Sequence, residues 1–346
     1  MHLHKPKNYD FRTVKPKTAL LIRLSALGDI VLATAAIELL HRHGVRLFFV
    51  AKSQYIDLFK CDHRLERVIP LDSTRLSELR RIAKELGGQR FDAVFDLHFK
   101  IPTILLTIFV RGDRKFFYNK RIFARRWAVL THTRPKEVHT VELYLRPIRK
   151  FLGLRDHEMA MPRLVPCSCE LPDLPTPYGV IAPGANAPQR VWPHFPDFCR
   201  KAAAQFQIKM VVVGVEGDAF AHAVARECGA VDMVGKTDIQ GLMALLSNAE
   251  FVVSNDSAPM HIASALGVPT VAIFGPTVPE FGMRPLGLLS KVVEPKDELP
   301  CRPCSLHGEK RCRYGGRPRC LESIEVDDVM AALDEIVRKK ESLRWH

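Results

Sequence analysis

Apolar runs of strand length alternate with stretches of helical periodicity twice along this chain, once on each side of a proline-rich break. In the first half, TALLIRL (Thr18 to Leu24), RLFFVA (Arg46 to Ala51) and FDAVFDLH (Phe91 to His98) read as strands. Between them, DIVLATAAIELLHRH (Asp29 to His43), followed by Gly44, and STRLSELRRIAKELGG (Ser73 to Gly88) carry helix start and stop signals. Val165 to Pro177 then holds four prolines and little periodicity, as a linker would. The alternation restarts with strands predicted at Tyr178 to Gly184, Lys209 to Val215, Phe251 to Asp256 and Thr270 to Pro276. Helices are predicted at about His194 to Phe206, Asp218 to Cys228, Ile239 to Asn248 and Ser257 to Leu266, with a last amphipathic one at Val326 to Lys340. Apolar strands separated by helices imply parallel sheets covered on both faces. The expected class is therefore α/β: two Rossmann-like, doubly wound domains with a cleft between them. Ligands of such sheets bind beyond the carboxyl ends of the strands.

The 346 residues suffice for two ordinary domains. The expected division is a loose basic tail (1–17), a first domain (18–165), a linker (166–177), a second domain (178–324) and a terminal helix (325–346) packing back toward the first domain. The opening MHLHKPKNYDFRTVKPK has no apolar core of the secretory type, and no run of about 18 apolar residues follows. A cytoplasmic protein is the expectation.

The net charge of +13 is unevenly spread. Arg111 to Lys136 holds nine Lys or Arg and a single acid, Asp113. Such a segment is either a solvated face or an attractor of polyanions, such as a phosphorylated glycolipid, an anionic membrane or nucleic acid. Nucleic acid is not expected, because no aromatic RNA-binding motif accompanies the charge.

Three strand-to-helix junctions carry polar groups. In NDSAPMHIASAL, Ser257 is a natural N-cap, Pro259 suits the first turn, and His261 lies one turn inside. Free amides at such a terminus suit phosphate; a capped core helix with an incidental histidine is the alternative. Asp256 would repel a phosphate and is expected to orient His261, or to accept from a sugar hydroxyl or loop amide. In RLSALGDIVLATAA, Asp29 opens a helix after a turn containing Gly28, and reads either as a favourable first-turn acid or as a general base. In APGANAPQRVWP, Asn186, Gln189 and Arg190 follow a strand, and Arg190 suits diphosphate charge. No D-x-D or GxGxxG turn occurs.

Nine cysteines are present. Five are scattered, and with no secretory signal a disulfide framework is not expected. Cys301, Cys304, Cys312 and Cys320 form C-x2-C-x7-C-x7-C, which suits a structural zinc, thiols bracing a loop or, less simply, an iron–sulfur cluster.

Taken together, RLSALGDIVLATAA, PGANAPQRVWP, VVVGVEGD, NDSAPMHIASALGVPTVAIFGPT and CRPCSLHGEKRCRYGGRPRC resemble the ADP-heptose:lipopolysaccharide heptosyltransferases of glycosyltransferase family 9. The resemblance spans about residues 18 to 340, and the cysteine segment is similar to the heptosyltransferase II branch. It implies a GT-B fold and an inverting transfer of heptose from ADP-heptose to the lipopolysaccharide inner core, with no cofactor needed for catalysis. It implies Asp29 as base and Asn186, Arg190, Glu216, Thr237, Asp256, Ser257, Ala258 and His261 as donor contacts. Arg121, Arg125 and Arg126 become candidate acceptor contacts, at the cytoplasmic face of an inner membrane with an anionic leaflet. Ala185 and Asn186 replace a Thr-Thr pair of some members, and Ala258 a glycine. Another nucleotide sugar as donor is the nearest alternative, and a zinc-containing nucleic-acid-binding protein a remote one.

Overall fold

The structure, a computed structural model, describes residues 17–168, 174–316 and 318–344. Residues 1–16 of the expected tail and part of the expected linker lie outside the described residues. The first half runs β1 (Thr18–Ile22), α1 (Leu27–Arg42), β2 (Arg46–Lys52), β3 (Leu65–Leu71), α2 (Leu76–Glu85), β4 (Phe91–Asp96), α3 (Ile101–Phe109), β5 (Gly112–Phe117), α4 (Ile122–Thr131) and α5 (Thr140–Leu152). The second half begins with β6 (Tyr178–Ala182), α6 (Phe195–Phe206), β7 (Lys209–Val212), α7 (Ala219–Cys228), β8 (Val231–Asp232) and α8 (Ile239–Ser247). It continues with β9 (Val252–Asn255), α9 (Ala258–Ala265), β10 (Thr270–Ile273), β11 (Ser290–Val293), α10 (Arg319–Glu322) and α11 (Val326–Arg344).

The strand orders are β3-β2-β1-β4-β5 and β11-β10-β9-β6-β7-β8, and every pairing is parallel. Strand order reverses between β1 and β4 in one sheet and between β6 and β9 in the other. Those are the two places where a doubly wound sheet opens a crevice for a ligand. The polar junctions singled out in the sequence follow β1, β6 and β9, so all three stand at a switch point.

The halves are sealed along one seam. A single apolar core runs from Ile30, Ala33 and Ile37 of α1 to Ile262 and Ala263 of α9 and on to Val180 and Leu245. A second tie is a strap of residues 132–140, which belongs to the first half in sequence and lies on the second in space. The Thr140 amide donates to Gly282 O at 2.9 Å. Arg134 pairs with Glu280 at 2.9 Å and Glu137 with Arg284 at 2.7 Å. His139 Nε2 donates to Arg284 O at 2.9 Å.

Two expectations are corrected. Helix α11 does not pack toward the first domain: Val329, Leu333 and Ile336 bury against Phe198, Val271 and Ile273 of the second. Lys340 also pairs with Glu250 at 2.7 Å. The amphipathic stripe of α11 finds its apolar partner in the nearest uncovered face of its own sheet. Disulfides are also present, Cys61–Cys167 and Cys199–Cys228, with Cα separations of 5.3 and 6.0 Å. Folding brings together cysteines 106 and 29 residues apart, which spacing alone does not reveal.

Candidate active site

The chain leaves β1 at Ile22 and turns into α1 through Arg23 and Gly28. Arg23 is buried; its Nη1 donates to Leu97 O at 2.6 Å, and its Nη2 pairs with Asp29. Asp29 is the third residue of α1 and only half-buried, and its Oδ2 accepts from the Ala26 amide at 3.3 Å. One carboxylate thus closes the helix start and meets a buried guanidinium while still facing the cleft. The Arg23 guanidinium lies 5.8 Å from the Tyr144 ring.

At the end of β4, next to β1, Asp96 is buried. Its Oδ1 accepts the His98 and Phe99 amides at 2.9 and 2.8 Å, while its Oδ2 has no protein partner. Burial raises the Asp96 pKa. Burial, with help from Arg23 and Lys120, pushes His98 down to about 3. Burial, then Arg23 and Lys100, lowers Lys120 to about 8. A cluster of Arg23, Lys100 and Lys120 beside two carboxylates therefore lines the first lobe's switch point.

Across the cleft, β9 delivers Asn255, Asp256 and α9. Asn255 is fully buried; its Oδ1 accepts the Trp192 amide at 3.1 Å, and its Nδ2 donates to Pro183 O at 2.5 Å. These bonds lock the turn after β6 onto β9. Asp256 Oδ2 accepts from the Thr277 hydroxyl at 2.7 Å and pairs with Arg190 Nη2 at 2.7 Å. Asp256 is thus spent on holding Arg190, and no bond from it to His261 forms. Ser257 precedes α9, but its hydroxyl sits 3.1 Å from that of Ser254 and does not cap the helix. The first-turn amides of α9, starting at Ala258, are left to other acceptors.

His261 is enclosed, and its Nδ1 has no protein partner. Burial, with His139 adding repulsion, pushes it down to about 3. His139, the N-cap of α5, accepts from the Val141 amide at 3.1 Å and is lowered to about 4, chiefly by burial. Both imidazoles are neutral at pH 7; His139 spends its lone pair on the Val141 amide and its N–H on Arg284 O, whereas His261 Nδ1 has no protein partner.

The remaining predicted residues occupy loops at the carboxyl ends of β6, β7 and β8. Asn186 is exposed in the turn after β6. Glu216 is exposed after β7, and a Cβ on Gly235 would stand 3.0 Å from its Cα. Thr237 is half-buried just ahead of α8. Arg121, Arg125 and Arg126 do not converge. Arg121 precedes α4 and donates to Lys136 O at 3.4 Å; Arg125 turns inward to the Thr140 hydroxyl at 3.2 Å; Arg126 faces a hollow beside the cysteine loop. Helix α3 buries Thr103, Leu106 and Thr107 and leaves Ile101 and Ile108 exposed.

The family described as "Glycosyltransferase family 9 (heptosyltransferase)" matches residues 79–311. The chain belongs to glycosyltransferase family 9. Lipopolysaccharide heptosyltransferase 1 of Escherichia coli K12 is 23% identical over 292 residues, spanning 75% of this chain and 88% of the relative. A family 9 glycosyltransferase from Veillonella parvula superposes with a TM-score of 0.76 at 19% identity, over 93% of this chain and 98% of that one. E. coli heptosyltransferase WaaC with ADP gives 0.66 at 21% identity, over 92% and 99%. The two parallel-sheet domains are thus the GT-B fold, and the chain is a glycosyltransferase of the heptosyltransferase family.

In this family 9 enzyme the structure gives no support to the structural zinc suggested by the cysteine spacing. Among the described residues no group of three or more His, Cys, Asp or Glu is arranged to hold a metal. Cys301, Cys304, Cys312 and Cys320 are free thiols. Burial, reinforced by the neighbouring thiols, pushes Cys304 up to about 11; burial alone dominates at Cys320, raised to about 12. The loop is held instead by Arg302, which is buried and donates to Gly275 O and Thr277 O at 2.5 and 2.9 Å.

Sequence reasoning passed over Arg23, Asp96, His98, Lys120, His139 and Thr277. Arg23, Asp96 and Thr277 share one signal, a polar residue at or just past the end of an apolar run. His139 carries only the weak signal of a polar residue ahead of a helix.

Proposed function

We propose that the chain is an inverting heptosyltransferase of lipopolysaccharide core assembly, moving heptose from ADP-heptose by direct displacement. One observation carries the reading: Asp29 and the α9 terminus with His261 and Arg190 approach the same cleft from opposite lobes. A base on one side and anion-stabilising groups on the other are what displacement at an anomeric carbon needs. Asp29, open to the cleft, takes the proton of the attacking hydroxyl. Arg190 and the α9 amides receive the diphosphate charge that builds as the bond breaks, an interaction stronger in the transition state than before it. Asp256 holds Arg190 at its post. Glu216 and Thr237, at the ends of β7 and β8, suit the nucleoside end of the donor, and Asn186 its sugar or phosphate.

The acceptor enters from the first lobe, where Arg23, Lys100, Lys120 and Arg125 offer positive charge to an anionic saccharide. The same reading places the enzyme in the cytoplasm, peripheral on the inner membrane. The proposal assigns no metal to the transfer step, so the rate should persist in chelator. The decisive experiment is turnover of ADP-heptose, against UDP- and GDP-sugars, on a panel of truncated lipopolysaccharide acceptors. The product's anomeric configuration is read by NMR. Retention of configuration, or preference for another nucleotide sugar, overturns the reading.

A further inference from the structure

Helix α4 is built the wrong way round for a soluble surface. One side is spent inward: Ala128 buries against Val278 and Phe281, and Arg125 reaches the Thr140 hydroxyl. The opposite side carries Phe123, Trp127 and Leu130 at helical spacing, and they are 83, 65 and 74% exposed. Residues at i, i+4 and i+7 form one stripe. Scattered apolar residues on a surface need no explanation, but an aligned aromatic and aliphatic stripe does.

The stripe is framed by cations. Arg126 flanks it on the helix, and Arg121 stands just ahead of the first turn. A hollow of about 460 Å³ opens alongside; Arg126, Lys310, Arg311 and Arg313 line it together with apolar α4 side chains, His132 and three thiols of the cysteine loop, and no acidic side chain is among its described lining residues. Apolar side chains to enter an acyl layer, an indole to sit at its boundary and cations to meet headgroup phosphates are the parts of an interfacial helix. A second copy of the chain is disfavoured as occupant, because the same cations would face each other.

We infer that the outer face of α4 is a membrane-docking surface for anionic lipid. Phe123, Trp127 and Leu130 insert at the boundary, and the basic hollow takes headgroup phosphate. The inference rests on the heptosyltransferase reading only in one respect: a lipid-borne acceptor gains from it.

The test is vesicle co-sedimentation of the full chain with phosphatidylcholine alone and with phosphatidylcholine plus phosphatidylglycerol, for wild type and for Phe123→Ser/Trp127→Ser/Leu130→Ser. Expected are binding only to the anionic vesicles, at least tenfold weaker partitioning of the triple variant, and quenching of wild-type fluorescence by brominated lipid. Arg126→Gln with Arg311→Gln gives a second, milder set should the triple variant misfold, with binding expected to fall and its salt dependence to flatten. Equal partitioning of variants and wild type, or of both vesicle types, overturns the proposal. So does a wild-type dimer by light scattering that the stripe variant turns into a monomer. Transfer to a deacylated, soluble acceptor separates the two readings. It should be unchanged in the stripe variant, and its absence in wild type defeats the activity while leaving the docking result to stand.

Discussion

Gly28 and His261 meet face to face across the cleft: a Cβ built on Gly28 would lie 2.7 Å from His261 Cδ2. The two residues belong to opposite lobes, so the start of α1 and the first turn of α9 set each other's position. A glycine here leaves room for a ring, and the ring leaves no room for a methyl group.

Gly28→Ala should therefore push the start of α1 away from α9. Displacements of this size cost on the order of 100-fold in rate when the reacting groups sit on opposite walls. The check is kcat/KM and Tm of Gly28→Ala, His261→Ala and the double variant. If the clash is the cause, the double variant regains Tm relative to Gly28→Ala, giving a coupling of about 0.5–3 kcal/mol. Additive losses would mean that the contact is incidental.

Asp29→Asn keeps the shape of the α1 start and removes the proton acceptor. The expected loss in kcat is about 10²–10⁴-fold, with the ADP Kd unchanged. Calorimetric titration of ADP alongside turnover separates the two; a variant with near-normal kcat would remove Asp29 from the chemistry.

Arg190 and Asp256 should fail differently. Arg190→Ala removes a group that acts on the leaving diphosphate, at a cost of about 2.7–4 kcal/mol in transition-state stabilisation, while Asp256 keeps its Thr277 hydroxyl. Asp256→Ala leaves Arg190 without its carboxylate, so it loses stability as well as rate; breaking such a buried pair costs about 3–5 kcal/mol. Urea melts measured beside kcat show whether the stability loss is confined to Asp256→Ala.

His261 and His139 make the fold acid-sensitive. Their folded pKa values, about 3 and about 4, lie below the unfolded value of about 6.5. Above pH 6.5 neither state binds the proton and the contribution is whole. As the pH falls through 6.5 the unfolded chain takes up protons that the buried rings refuse. Stability then drops by about 1.4 kcal/mol per pH unit per ring until the folded pKa is reached. His139→Asn can still accept from the Val141 amide and no longer titrates, so its urea midpoint should fall less between pH 7 and pH 5 than that of wild type. An identical pH slope would show that His139 is solvated.

Much of this was legible in the sequence because parallel strands buried on both faces must be apolar throughout. TALLI, YGVIA and TVAI stand out for that reason, and the polar residues that interrupt them mark the switch points. The strands that escaped notice are at sheet edges. β3 (LERVIPL) carries Glu66, Arg67 and Pro70, and β5 (GDRKFF) lies within the basic segment. Edge strands tolerate charge and proline, so composition hid them. The site was half visible. Asp29, Arg190, Asp256 and His261 sit on recognisable turns, whereas Arg23 and His139 reach the cleft only because β1 abuts β4 and the strap crosses to the other lobe. Pairing was the least readable layer: that Asp256 would be consumed by Arg190 and Thr277 depends on side-chain directions that no spacing encodes.

The strap of residues 132–140 has a mechanical consequence. Two bodies joined only at a flexible neck can gape freely, but here the upper jaw is also buttoned to the lower one by Arg134, Glu137, His139 and Thr140. To admit a bulky saccharide, the molecule must either undo those buttons or let the strap ride with the second lobe and peel α4 from the end of β5. Hydrogen exchange at residues 118–121, with and without ADP, distinguishes a latch that unfastens from a sleeve that slides.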